Sequence, residues 1–230
     1  MSNRSVNRQA AILLLAQFVL FFVPIMVLGA AIDWPASLDE PISTLYPRFV
    51  QNLAAVRLGY GAYLAYSVLF LATAVMTARA VAGSDTLSPA LQVAAGFGII
   101  SALARSIGIV RWLSAMPLLA TQYLDPTTAA ATKEMIAITH VAINELAGTI
   151  GEALGVGLFA ALWMLLIAVA LLRMRGMARL LGSLGLVTAA ALFTNMGGMF
   201  GIDIGPMIVI SVAIAQFWFL FMGIWLFVRK

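Results

Sequence analysis

The chain contains no cysteine, which excludes disulfides, thiolate metal sites and thiol catalysis. Its only histidine is His140, so no paired-histidine spacing such as HExxH exists. Phosphate-cradling glycine loops and nucleophile elbows are missing as well. Zinc sites ordinarily take three or four protein ligands. A lone histidine beside carboxylates is therefore a poor metal ligand, and His140 is expected near the surface of its helix end. One histidine would suffice for haem, but nothing else in the chain argues for one. The expected cofactor complement is none, and enzymatic activity has no positive support. Charge is scarce too. Only 10% of the residues are charged, against about 25% in ordinary soluble domains.

What the chain has instead is apolar surface. Hydrophobic residues make up 63% of it, and the mean hydropathy is +1.04. One soluble core cannot hide that excess, so residues 1–230 read as a single transmembrane helical domain. The net charge of +4 and a pI near 9.9 do not imply nucleic acid. The arginines stand scattered at helix ends, where membrane topology accounts for them.

Taken in order, the chain predicts six spans. A polar start with Arg4 and Arg8 leads into the apolar run 10–31, too long for a signal-peptide core and interrupted by Pro24; it is expected to be a retained helix. Residues 32–52 form a proline-broken loop with room for one short helix. A second span covers 52–78, and a short turn with Gly83 and Asp85 follows. Ser88-Pro89 caps a third span that runs to about Trp112 or beyond. No proline interrupts 128–172, a stretch roughly twice a bilayer core in helical length. Its membrane part is expected at 150–172, with His140 outside or at the surface. The basic turn 173–179 precedes a fifth span at 180–196, and a glycine-rich turn ending at Pro206 precedes an aromatic sixth span at 207–228.

An N-terminus inside the cell places Arg4, Arg8, Arg79, Arg173, Arg175, Arg179, Arg229 and Lys230 on the inner side. Only Arg48 and Lys133 then face outward, among Asp33, Asp39, Glu40, Asp125, Glu134 and Asp203. That distribution obeys the positive-inside rule and puts both termini in the cytoplasm.

Within the spans, charge must face inward and pair. Glu145 and Glu152 stand seven apart and share a face of an ideal α-helix. Arg57, Arg105 and Arg111 are the cations within reach. The expected pairs are Arg105 with Glu152, and Arg111 or Arg57 with Glu145. With Asn144, Tyr60 and Tyr63, these residues outline an outward-facing pocket expected to bind or move a small anionic or zwitterionic molecule, to take a lipid headgroup, or to relay protons. The alternative is purely structural pairing that holds spans in register. A non-catalytic scaffold, docking another membrane protein or a second copy through the aromatic last span, is the competing function. Gly151 and Gly155 predict close helix packing. Met196, Met199 and Met207 have thioethers suited to Cu(I), yet methionine is more often packing filler.

Three segments carry a family resemblance: VRLGYGAYLAYSVLF (56–70), AAGFGIISALARSIGIV (94–110) and GLFAALWMLLIAVALLRMRGMARLLGSLGLV (157–187). Together they resemble the domain-of-unknown-function 4386 family of bacterial multi-pass membrane proteins. The resemblance implies a six-helix bundle and supplies no activity. Arg57 and Arg105 match its pattern, while the acidic residues of the fourth span rest on this sequence alone. The expected location is the bacterial cytoplasmic (inner) membrane.

Overall fold

The structure, a computed structural model, describes residues 3–83, 86–205 and 207–229. Asp85, Pro206 and Lys230 lie outside the described residues. Among the described residues the chain is all helical and contains six helical stretches long and apolar enough to cross a bilayer. The protein is a multi-pass membrane helix bundle. The stretches are Arg4–Ile32, Leu53–Ala82, Pro89–Leu124, Ala130–Leu172, Met177–Phe200 and Met207–Val228.

Nine α-helices lie among the described residues, eight of them building these stretches and the short second one lying outside them. They are α1 (Asn3–Ile32), α2 (Ile42–Gln51), α3 (Leu53–Ala82), α4 (Pro89–Leu113), α5 (Ala115–Leu124), α6 (Ala130–Thr149), α7 (Ala161–Leu172), α8 (Met177–Phe193) and α9 (Met207–Val228). Between α6 and α7 the chain is π-helical over Ile150–Ala160, with no break in the rod. Helix α1 runs unbroken through Pro24. The start of α4 follows its local chemistry. Ser88 Oγ accepts a hydrogen bond from the Leu91 amide at 3.4 Å, and Pro89 takes a first-turn position that needs no N–H donor. Ser88→Ala is expected to lower stability by about 1 kcal/mol, read as a small drop in Tm in detergent. At the other end of α3, Gly83 adopts φ 63° and closes the helix.

Packing runs in a chain of antiparallel neighbours. Helix α1 lies against α3 and α9, α3 against α4, α4 against the π segment and α7, α7 against α8, and α8 against α9. Besides a small buried cluster of Ala161, Leu192 and Ala215, two large ones divide the bundle lengthwise. One joins Ala10, Ala78, Val81, Leu91, Leu171 and Leu226, near one set of helix ends. The starts of α1, α4 and α8 and the ends of α3, α7 and α9 meet there, bringing Arg4, Arg8, Arg79, Arg173, Arg175, Arg179 and Arg229 to one end of the bundle. Arg229 also donates to the Ala80 carbonyl at 3.4 Å. This is the basic end.

The second cluster lies at the opposite, capped end, where α2 and α5 fold over the bundle and bury Leu45, Tyr46, Phe49 and Met116 against Leu28, Tyr60 and Trp112. The proline-broken loop of the sequence reading is thus largely the amphipathic helix α2, with Pro41 just before it and Pro47 within it. The third span runs beyond Trp112, as the sequence allows: α4 breaks at Ser114 and the stretch continues as α5. In the cap, Arg48 and Glu40 form an ion pair. The exposed Asp125 accepts hydrogen bonds from the Thr127 hydroxyl at 2.6 Å and amide at 2.8 Å, which hold its carboxyl below the usual range.

Candidate functional site

Helix α4 carries the buried charge. Arg105 is 7% exposed and Arg111 8%. Their positions follow from small residues on the facing rod. A methyl group placed on Gly151 would come within 3.0 Å of the Gly108 Cα, so backbone meets backbone there. A methyl on Gly155 would lie 2.8 Å from the Arg105 Cγ, and one on Gly148 would lie 3.3 Å from an Arg111 Nη. The glycine row of α6 and the π segment therefore admits the two arginine stems as well as the α4 backbone. The Ser101 hydroxyl donates to the Gly155 carbonyl at 2.6 Å and ties the π segment to α4 at the same level.

The two guanidiniums have different surroundings. Arg105 lies 4.6 Å from the Tyr66 ring centre and 5.1 Å from that of Phe70, a cation held on aromatic faces. Its Nε is buried and makes no hydrogen bond. Arg111 donates to the Gly108 carbonyl at 2.8 Å and lies 5.5 Å from the Trp112 ring, but its Nε is likewise unpartnered. Trp112 stacks on Tyr60, with centroids 5.3 Å apart and planes 1° from parallel. The Tyr60 hydroxyl is buried without a partner.

Arg105 borders a cavity of about 40 Å³ between α3, α4, α7 and α9, whose walls include Tyr63, Tyr66, Trp163, Gln216 and Phe219. Gln216 Nε2 donates to the Tyr66 hydroxyl at 2.6 Å, and Gln17 Nε2 donates to the Tyr66 carbonyl at 2.9 Å. Both amide oxygens, Gln17 Oε1 and Gln216 Oε1, are buried without a donor. The cavity is large enough for a few waters and too small for a headgroup.

The structure brings five of the sequence-selected residues into one neighbourhood. Glu152 lies within electrostatic reach of Arg111, Tyr60 and Tyr63, and Tyr63 also lies within reach of Arg105. Glu152 is itself exposed, on the turn of the rod one step from Val156, which lines the Arg105 cavity. Arg57 is exposed on α3 and does not line that cavity. Asn144 and Glu145 line a second space, a cleft of about 450 Å³ at the capped end, and Glu145 also lies within electrostatic reach of Arg111, its expected partner.

His140 corrects an expectation. It is 4% exposed, not superficial. Helix α2 covers it, and its Nδ1 shares a 2.9 Å hydrogen bond with the Tyr46 hydroxyl, beside the rings of Tyr46 and Trp112. Burial pushes the Tyr46 phenol above its ordinary value, and nearby Tyr123 adds to the shift, so Tyr46 keeps its proton. Among the described residues, no group of three His, Asp or Glu side chains is placed to hold a metal ion.

Sequence reasoning passed over Tyr66, Gln17 and Gln216. The available signal was an amide inside an otherwise apolar span, since intramembrane polar residues ordinarily face the bundle interior.

No curated protein and no solved structure matches the chain significantly. A family model does, over residues 9–229, and the chain accordingly belongs to the family described as domain of unknown function (DUF4386).

Proposed function

We propose that this membrane protein binds a small anionic or zwitterionic amphipathic molecule within the bundle, with Arg105 as the anchoring cation. Arg111, Glu152, Tyr60 and Tyr63 form the polar approach to it. The basic end faces the cytoplasm of a bacterial inner membrane, in keeping with the positive-inside rule, and the capped end faces outward. The observation that carries the reading is the state of Arg105. It is buried at mid-span, its Nε lacks an acceptor, and it borders a cavity. A charge in that position costs at least about 2.5–3.5 kcal/mol on insertion scales, and its retention favours a functional role. Tyr66 and Phe70 stabilise the guanidinium from its faces and leave its in-plane donors available to an oxyanion. Because the cavity is small, binding requires the π segment or α9 to move aside.

The test compares dodecyl phosphate with dodecanol, each titrated into the purified protein in nanodiscs. The phosphate is expected to bind more tightly than the alcohol. Arg105→Met is expected to weaken the phosphate by about tenfold to a hundredfold, the equivalent of one charged hydrogen bond of ~1.5–3 kcal/mol, and to leave the alcohol unchanged. Equal affinity of the two amphiphiles, or an unaltered phosphate affinity in the variant, overturns the reading. The scaffold alternative draws on Phe217, Phe221 and Phe227, which project from α9 about half exposed. A stable homodimer lost on their replacement by leucine would favour it.

A further inference from the structure

The cleft at the capped end has the opposite electrostatic character to the Arg105 cavity. It lies between the turn before α2 and the exposed side of α6. Its volume of about 450 Å³ is that of a small-molecule site. Glu40 and Glu145 contribute carboxylates, and no arginine or lysine lines it. Asn144 adds an acceptor that is already desolvated, because its Oδ1 is buried and receives no hydrogen bond. A buried acceptor left unmatched is costly and is ordinarily satisfied by a water or a ligand. Tyr123 supplies an aromatic wall, and the Lys133 ammonium stands 5.7 Å from the centre of that same ring. The Tyr123 face thus already attracts an ammonium group of this chain. The floor is the buried His140, fixed from below by Tyr46.

We infer that this cleft is a binding site for an organic ammonium, held by the Glu145 carboxylate, the orphan Asn144 Oδ1 and the ring of Tyr123. Glu40 is the weaker contributor, because Arg48 pairs with it directly, whereas Arg111 lies within electrostatic reach of Glu145 without forming a direct ion pair. The inference stands apart from the Arg105 reading, for the residues and the charge it uses are different. The ammonium could come from a free amine or from the headgroup of a zwitterionic lipid, and the chemistry of recognition is the same.

The experiment uses the full chain in nanodiscs of phosphatidylglycerol, which brings no ammonium of its own. Benzylammonium, whose N–H groups can donate to Asn144 Oδ1, is titrated in, followed by calorimetry, with its uncharged carbon isostere ethylbenzene as comparison. Saturable binding of the cation is expected, with the isostere at least about tenfold weaker. Glu145→Gln and Asn144→Leu are each expected to weaken the cation by about tenfold, while Glu134→Gln, an exposed change on the same helix outside the cleft, leaves it unchanged. Glu145 is exposed, so its variant keeps the fold, which an unchanged Tm verifies. Repeating the titration in phosphatidylethanolamine nanodiscs separates the sources. Competition by the lipid identifies a headgroup site, and unchanged affinity identifies a free amine. Binding of the isostere as tight as the cation, no binding of the cation, or an unaltered affinity in Glu145→Gln overturns the inference.

Discussion

Gly108→Val is expected to abolish the folded bundle or to lower its stability by at least about 3 kcal/mol, measured as loss of a cooperative transition in detergent. Even a single methyl at Gly108 would lie 2.9 Å from the Gly151 Cα and 3.0 Å from the Ala147 carbonyl oxygen. Both obstacles are backbone atoms of a continuous helical rod, so neither can rotate away. Relief requires α4 and the rod to separate along their whole seam, which would also uncover Arg105 and Arg111. In lipid no hydrophobic term restores the contact, because association between spans rests on close packing. Gly96 provides the contrast on the same helix. A methyl there meets nothing within 4 Å. Gly96→Ala is expected to stabilise the protein by up to about 1 kcal/mol, because alanine favours the helix and restricts the unfolded chain. Destabilisation by Gly96→Ala, or tolerance of Gly108→Val, would contradict this account of the seam.

Trp163→Ala is the second large effect, with an expected loss of about 3–5 kcal/mol. Trp163 is 1% exposed and sits where α3, α4, α8 and α9 converge on α7. Its ring meets Phe70 at 5.1 Å, Trp218 at 5.9 Å and Phe219 at 6.1 Å, all edge to face. Its indole nitrogen donates to the Ala74 carbonyl at 3.4 Å. Truncation leaves a void beside the Arg105 cavity and removes the donor in the same step. Trp163→Phe should recover most of the packing and little of the hydrogen bond, falling between wild type and alanine in a thermal melt. Equal losses for the two variants would show that the packing is not what matters.

Hydropathy and charge were enough to read the six spans and the gathering of arginines at one end, because both depend on composition over long windows. The last span was even placed at its observed limits, 207–228. What escaped were features that depend on contacts between distant residues. The Tyr46–His140 bond joins positions 94 apart in sequence, and nothing local marks either residue as its partner. Pro41 and Pro47 are strong local signals for turns, so the sequence leaves room for a short helix in this loop without placing it, and the buried face of α2 becomes evident only once Trp112 and Met116 lie beneath it. The face shared by Glu145 and Glu152 was counted at 3.6 residues per turn, but Glu152 lies inside the wider π segment. Glu145 lines the capped-end cleft, while Glu152 stands near Tyr60 and Tyr63. The residues expected in one pocket therefore divide between the linings of two spaces, with Arg111 within electrostatic reach of both Glu152 and Glu145.

The crowding of guanidiniums at one end also bears on how the protein stays put once inserted. Arg4, Arg8, Arg79, Arg173, Arg175, Arg179 and Arg229 move together if the bundle turns over. Each elementary charge carried across a bilayer works against or with the electric potential by roughly 2.3 kcal/mol per 100 mV. With that end on the negative side, an energised membrane opposes inversion through every one of these charges at once, in addition to the desolvation of each. In that orientation a membrane voltage would act as a ratchet, and a depolarised membrane would relax it.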